Sequence, residues 1–285
     1  MQDTQSSQSS EEPERLSSLP TMQSLRTWHN TLAGRDRLLW QFGWISLGVG
    51  VCCVLLWCFD PRQVTGINVW IKPFKFATSL WVYAWTLGWL MDTFRWHRVE
   101  RQVIRWSVIV VMCIELGAIC MQAARGTTSH FNNTTAFDGL VFNLMGIAIF
   151  WNTLVAGYVC IITFLPQRWR VSKPSLYQWG VRWGFVVFLI GSTVGGLSAS
   201  MLRHSIGVPD GGPGLPFLNW STQGGDLRVA HFFGIHALQL IPLVGWWLSR
   251  RTQTTTSIHL FSALYLSTVL FLLWQALRGL PFFTM

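Results

Sequence analysis

Charge is scarce in this chain. Only 12% of its 285 residues are Asp, Glu, Lys or Arg, about half the roughly 25% of a soluble domain. Strict polar–apolar alternation is also missing. A transmembrane barrel needs that alternation, because its strands face lipid and lumen in turn, so a barrel is excluded. The six cysteines (Cys52, Cys53, Cys58, Cys113, Cys120 and Cys160) form no CxxC pair and no metal-ligand spacing. They read as small hydrophobes in helices and do not report a redox compartment. No apolar core follows a basic start within the first thirty residues, so no cleavable signal peptide is expected.

What the chain does have is apolar length. It is 51% hydrophobic, with 18 Trp and 19 Phe. These residues gather into about seven stretches, at 38–58, 74–91, 103–124, 140–164, 181–202, 229–248 and 260–277. A spanning helix needs about 20 apolar residues, and backbone in lipid must bond internally. The sequence therefore predicts an all-α bundle of about seven transmembrane helices over 38–285. Residues 1–37 are expected to be a disordered or amphipathic cytoplasmic tail. The first 24, rich in Ser, Gln and Glu and without aromatics before Trp28, cannot offset the entropy of ordering.

The formal charge of +9 would suggest nucleic acid in a soluble protein. Here the enrichment of Lys and Arg in cytoplasmic connections accounts for it, and no nucleic-acid partner is expected. The 21 basic residues divide 14 to 7 between the two sets of connections, which places the N-terminus inside and the C-terminus outside. The inner connections are short and basic. The outer ones carry the unusual strings GINVWIKPFKF, QAARGTTSHFN and PDGGPGLPFLNWSTQGGDLRVAHFFGIHALQ. The third outer connection, 203–228, is dense in Gly and Pro, which impose specific turns. Its length suits a lid or binding loop.

These three strings resemble a family of uncharacterised bacterial multipass inner-membrane proteins, over most of the chain from about residue 38. The resemblance implies a bacterial inner-membrane location and a shared fold. It implies no activity.

Candidate functional residues fall mostly on the outer side. Glu115 sits at bilayer depth, where an ionisable side chain is a functional hypothesis by default. Gln122, seven residues on, shares its face, and Arg125 ends that stripe. Glu115, Arg125, His130 and His231 are the catalytic candidates, with Glu115 as proton acceptor. Lys72, Lys75, Arg203 and Arg228 join Arg125 as outer-side cations suited to an anionic small molecule or lipid headgroup. Asn219 and Trp220 belong to the same candidate binding set. His130, His231 and His236 are candidate ligands of a metal ion or a haem. His231 and His236 lie about 140° apart on a helix, so they miss the four-residue spacing of a zinc-binding helix.

Other features have structural explanations. Thr135 and Asp138 match a helix cap, and Asp226 can cap the helix it precedes. Gly191, Gly195 and Ala199 form a small-residue ridge that favours close helix packing. Two seven-helix classes fail on their residues. The last stretch has no Lys for a retinal Schiff base. It also lacks the HxxxH of zinc hydrolases that resemble alkaline ceramidases, offering only His259 at its inner edge. Three readings follow: a membrane-embedded enzyme or cofactor binder, a proton-coupled transporter, and a non-catalytic assembly or sensory subunit.

Overall fold

The computed structural model describes residues 22–170, 175–252 and 254–284. The expected disordered tail falls, through residue 21, outside the described residues. Eight α-helices follow in chain order: α1 (Met22–Arg35), α2 (Arg37–Phe59), α3 (Ile71–Met91), α4 (Arg98–Ala124), α5 (Ala136–Thr163), α6 (Leu176–Ser200), α7 (Leu227–Leu248) and α8 (Thr256–Leu277). Two short antiparallel pairs decorate one end: β1 (Gln63–Val64) with β2 (Ile67–Asn68), and β3 (Ser205–Ile206) with β4 (Gly225–Asp226).

Among the described residues six helices, α2 and α4 to α8, are long and apolar enough to cross a membrane. Their apolar windows are only 22–44% buried inside the fold. The remainder faces outward, as in Ile147 (69% exposed) and Leu264 (69%). A water-soluble bundle would turn those side chains inward. The all-α multipass class is thus as expected. The seventh stretch forms α3, which has the length, 21 residues, but carries Lys72, Lys75, Thr78, Ser79 and Thr86 among its apolar residues and is not one of the six. α1 is a helix and packs against α2 and α3.

The main core lies between α2, α3, α4, α5 and α6, around Leu39, Leu87, Met91, Phe94, Val108 and Phe185. The closest helix pair is α6 with α7. A Cβ built on Gly191 would lie 2.5 Å from the carbonyl carbon of Gly234. The ridge expected from sequence does face its neighbour at Gly191 and Gly195, whereas Gly196 points into open space. The helix caps are also as read. Thr135 accepts from the Asp138 amide at 3.1 Å, and Asp226 accepts from that of Arg228 at 3.0 Å. His259 is a packed histidine, its ring 4.6 Å from that of Trp179 and its Nδ1 accepting from the Trp183 indole at 3.0 Å.

The described cysteines are all free. Cys120 of α4 packs against the apolar cluster that holds Cys53 of α2, so these two act as packing groups between those helices.

Candidate functional site

Three connections meet at one end of the bundle: 60–70, 125–135 and 201–226. The first is built around Asp60. Its carboxylate accepts from Arg62 Nε at 2.9 Å and from the Trp70 indole at 2.8 Å. The Arg62 guanidinium and the Trp70 indole hold the Asp60 carboxyl well below the usual range. Thr65 and Gly66 turn the β1–β2 hairpin with φ of 51° and 80°, the left-handed pair that a two-residue hairpin requires. Arg62 also donates to the carbonyl of Ala124 at 3.0 Å, tying this hairpin to the end of α4.

The long connection folds over that hairpin. Asp210 organises its first half, accepting from the amides of His204 (2.9 Å) and Ser205 (2.7 Å) and lying 3.0 Å from His204 Nδ1. Burial disfavours its charge, but these hydrogen bonds prevail and hold Asp210 well below the usual carboxylate range. Asn219, at φ 58°, donates to the carbonyl of Thr65 at 3.1 Å. Lys75 donates to the carbonyls of Phe217 (3.1 Å) and Leu218 (3.2 Å). The Phe217 ring lies 6.4 Å from Trp57 and 6.0 Å from Phe74. The connection is therefore a lid fastened to α2, α3 and the hairpin.

The candidate cations are mostly engaged. Arg125 pairs with Asp138 and Gln122, and its side chain is 40% exposed. Arg228 pairs with Asp226, 2.6 Å away, and bonds the Asn219 carbonyl. Arg203 is exposed, with one long contact to the Met201 carbonyl at 3.4 Å. Asn219 and Trp220 hold the lid rather than line a cavity, because Trp220 packs with Leu227, Leu272 and Ala276. Among these outer cations Lys72 stands apart. This half-buried side chain makes no hydrogen bond and no ion pair within 4.0 Å among the described residues. It lies within electrostatic reach of Lys75, Arg228, Asp210 and Glu115.

Glu115 is 2% exposed, and its Oε1 has no hydrogen-bond partner. The charge that acts on it is that of Lys72. Gln122 is fully buried on the same helix face, as expected, but bonds Asp138 at 2.8 Å and leaves Glu115 alone. A buried carboxyl oxygen without a partner costs about 1–3 kcal/mol or more. Such a group is retained where a proton or a ligand completes it.

His130 and His204 lie within electrostatic reach of Lys72. His130 feels the charges of Lys72, His204 and His231. Its Nδ1 is 3.1 Å from Ser129 Oγ, and its ring packs 5.9 Å from that of Phe76. Burial, reinforced by those neighbours, keeps His130 well below its ordinary value and therefore neutral. His204 is lowered as well, first by burial, with the Asp210 hydrogen bond opposing. His231 Nδ1 lies 2.8 Å from the Gly191 carbonyl, so Nδ1 carries the proton and Nε2 is left as an acceptor. His236 is occupied by Gln239 at 3.3 Å and by the Phe232 ring at 4.4 Å. Among the described residues no group of three His, Cys, Asp or Glu side chains can hold a metal ion. His130, His231 and His236 form no such group, and the Nδ1 atoms of the last two bond a backbone carbonyl and a glutamine.

The Lys72–Glu115 relation and the role of Asp210 were not foreseen from the sequence. Neither has a spacing signal, since each joins residues on different elements or within an irregular loop. Comparison with family models, with curated proteins and with solved structures finds no match to this chain.

Proposed function

We propose that this is a seven-span protein of the bacterial inner membrane, of the family that its three loop strings resemble, with α3 as the seventh span. On this reading the N-terminus is cytoplasmic and the lid is periplasmic, and the 14-to-7 division of basic residues supports it. Beneath the lid the protein binds a small molecule bearing an anionic group and acts on it by acid–base chemistry. Lys72 holds the anion, Glu115 is the proton acceptor, and neutral His130 and His231 line the walls.

One observation carries this reading. Lys72 and Glu115, a base and an acid within electrostatic reach of one another, make no contact pair, and Glu115 Oε1 bonds nothing. An acid and a base buried near one another would satisfy each other by direct hydrogen bonding. Two that stay apart are arranged for something between them. The reading includes no metal and no haem, because no three His, Cys, Asp or Glu side chains converge among the described residues.

A proton-coupled transporter would use Glu115 as its coupling carboxylate. It would also need polar lining toward the other end, where Leu87, Leu90, Val108, Met112 and Phe185 fill the core. That filling favours a pocket open to one side. A purely structural subunit leaves Lys72 and Glu115 unexplained.

The test is a thermal-shift panel of small carboxylates and phosphates on the purified wild type, Lys72→Met and Glu115→Gln. Stabilisation is expected for the wild type, absent in Lys72→Met and altered in pH dependence in Glu115→Gln. A panel that stabilises none, or all three alike, overturns the proposal.

A further inference from the structure

The opposite end of the bundle carries a second concentration of charge. There α1, α2 and α4 surround a cleft of about 480 Å³. Its lining includes five arginines (Arg35, Arg37, Arg98, Arg101 and Arg105) against one carboxylate, Asp36.

Asp36 cannot neutralise them. Its buried carboxylate is 2.7 Å from Arg105 and 3.4 Å from Arg101, and it also caps α2 by accepting from the Leu39 amide at 3.2 Å. Arg35 lies 3.5 Å above the Trp89 ring and donates to the Trp89 carbonyl at 3.0 Å. Arg101 donates to the Arg35 carbonyl. Three of the guanidiniums are thus positioned by the fold, and the buried Nε of Arg101 bonds nothing. Arg37 and Arg98 are exposed and have no partner among the described residues. They are also the first residues of α2 and α4, so two helix N-termini add their positive ends to the same cleft.

Positive residues at a leaflet boundary are ordinary. Convergence of two distant chain segments on one concave site is not. Arg250 and Arg251 behave in the ordinary way, lying over Trp246 and Trp247 at 3.9 and 4.3 Å. On another face of α4, Val99, Val103, Trp106 and Val110 follow at helical spacing and are 73, 51, 49 and 51% exposed, which puts this end of α4 beside the membrane interior.

We infer that this cleft binds the phosphate-bearing headgroup of an anionic lipid at the membrane boundary. Several guanidiniums in fixed positions match a phosphate's oxygens. A soluble phosphate shares the headgroup chemistry but brings no acyl chains into the membrane. The inference concerns the other end of the molecule and shares no residue with the site beneath the lid.

The test measures unfolding midpoints of the purified full chain in neutral detergent. The titrants are mixed micelles of dioleoylphosphatidylglycerol, the same micelles with dioleoylphosphatidylcholine, and inorganic phosphate alone. Saturable stabilisation by phosphatidylglycerol, with no effect of phosphatidylcholine, is expected. In the Arg37→Gln/Arg98→Gln variant, half-saturation should need about fivefold more lipid per arginine removed. Equal responses to the two lipids, or a variant identical to wild type, overturn the site. Inorganic phosphate acting as tightly as the lipid overturns the lipid assignment. The lipid comparison uses the wild type, so it stands whatever the yield of the variant.

Discussion

The ring of His231 lies directly over Gly195, so close that a Cβ there would sit 2.8 Å from its Cε1. The same ring bonds the Gly191 carbonyl one turn away. The α6–α7 contact and the histidine beneath the lid are therefore one arrangement: small residues on α6 admit the imidazole and fix its tautomer.

We expect Gly195→Ala to displace His231, and Gly191→Ala to push α6 from α7. The first should weaken ligand-dependent stabilisation with little loss of intrinsic stability. The second meets backbone at 2.5 Å and should destabilise by about 1–3 kcal/mol, the usual cost of overpacking. Unfolding midpoints in detergent with and without ligand separate the two effects. Equal losses in both variants would contradict this division.

The lid should loosen in acid. His130 and His204 have folded values below their ordinary one near 6.5, so the unfolded loop takes up protons first, and stability falls as pH drops below about 6.5. Asp210 has a depressed value. Its contribution is complete above its ordinary range near 4 and is lost as pH falls from there through the folded value. Limited proteolysis within 203–226 between pH 8 and pH 3 should accelerate in those two steps, and Asp210→Asn should remove the lower one. A flat profile would show that these groups do not hold the lid.

Asn219→Ala removes the bond to Thr65 and leaves in the left-handed region a residue that lacks the polar side chain by which Asn tolerates it. Each effect is worth about 1 kcal/mol. We expect cleavage within the lid to rise by about tenfold or more, while the midpoint of the whole bundle moves little. Asn219→Gly should restore the backbone share alone and fall between the two.

Asp36→Ala should be the most damaging single change at the arginine end. It removes a helix cap and leaves two guanidiniums facing one another without a carboxylate. Loss of one partner of a buried pair costs about 3–5 kcal/mol. Arg105→Gln should cost less, because Arg101 still reaches Asp36. Denaturant titration in detergent micelles orders the three chains.

The helices were legible because a continuous apolar run with a capped start has few alternatives in lipid. Thr135, Asp226 and the Gly191 ridge were legible for the same local reason. The end of the molecule that gathers His130, Lys72 and the long Gly/Pro connection was legible from charge sidedness. The pairings were not. Arg125 looked free until α5 brought Asp138 to it. Asn219 and Trp220 looked like ligand contacts, and only the fold of the lid turns them inward. Glu115 could be placed at bilayer depth, but that no neighbouring helix satisfies its Oε1 depends on how α3 packs on α4. Spacing within one element predicts faces. It does not predict which group from another element arrives there.

Lys75 is tied to main-chain carbonyls of the lid tip and to no carboxylate. Lifting that tip would release an ammonium beside Lys72 while stranding no negative charge in its place. The open entrance would thus be more electropositive than the shut one, drawing an anion inward on approach and relaxing its pull once the flap has settled.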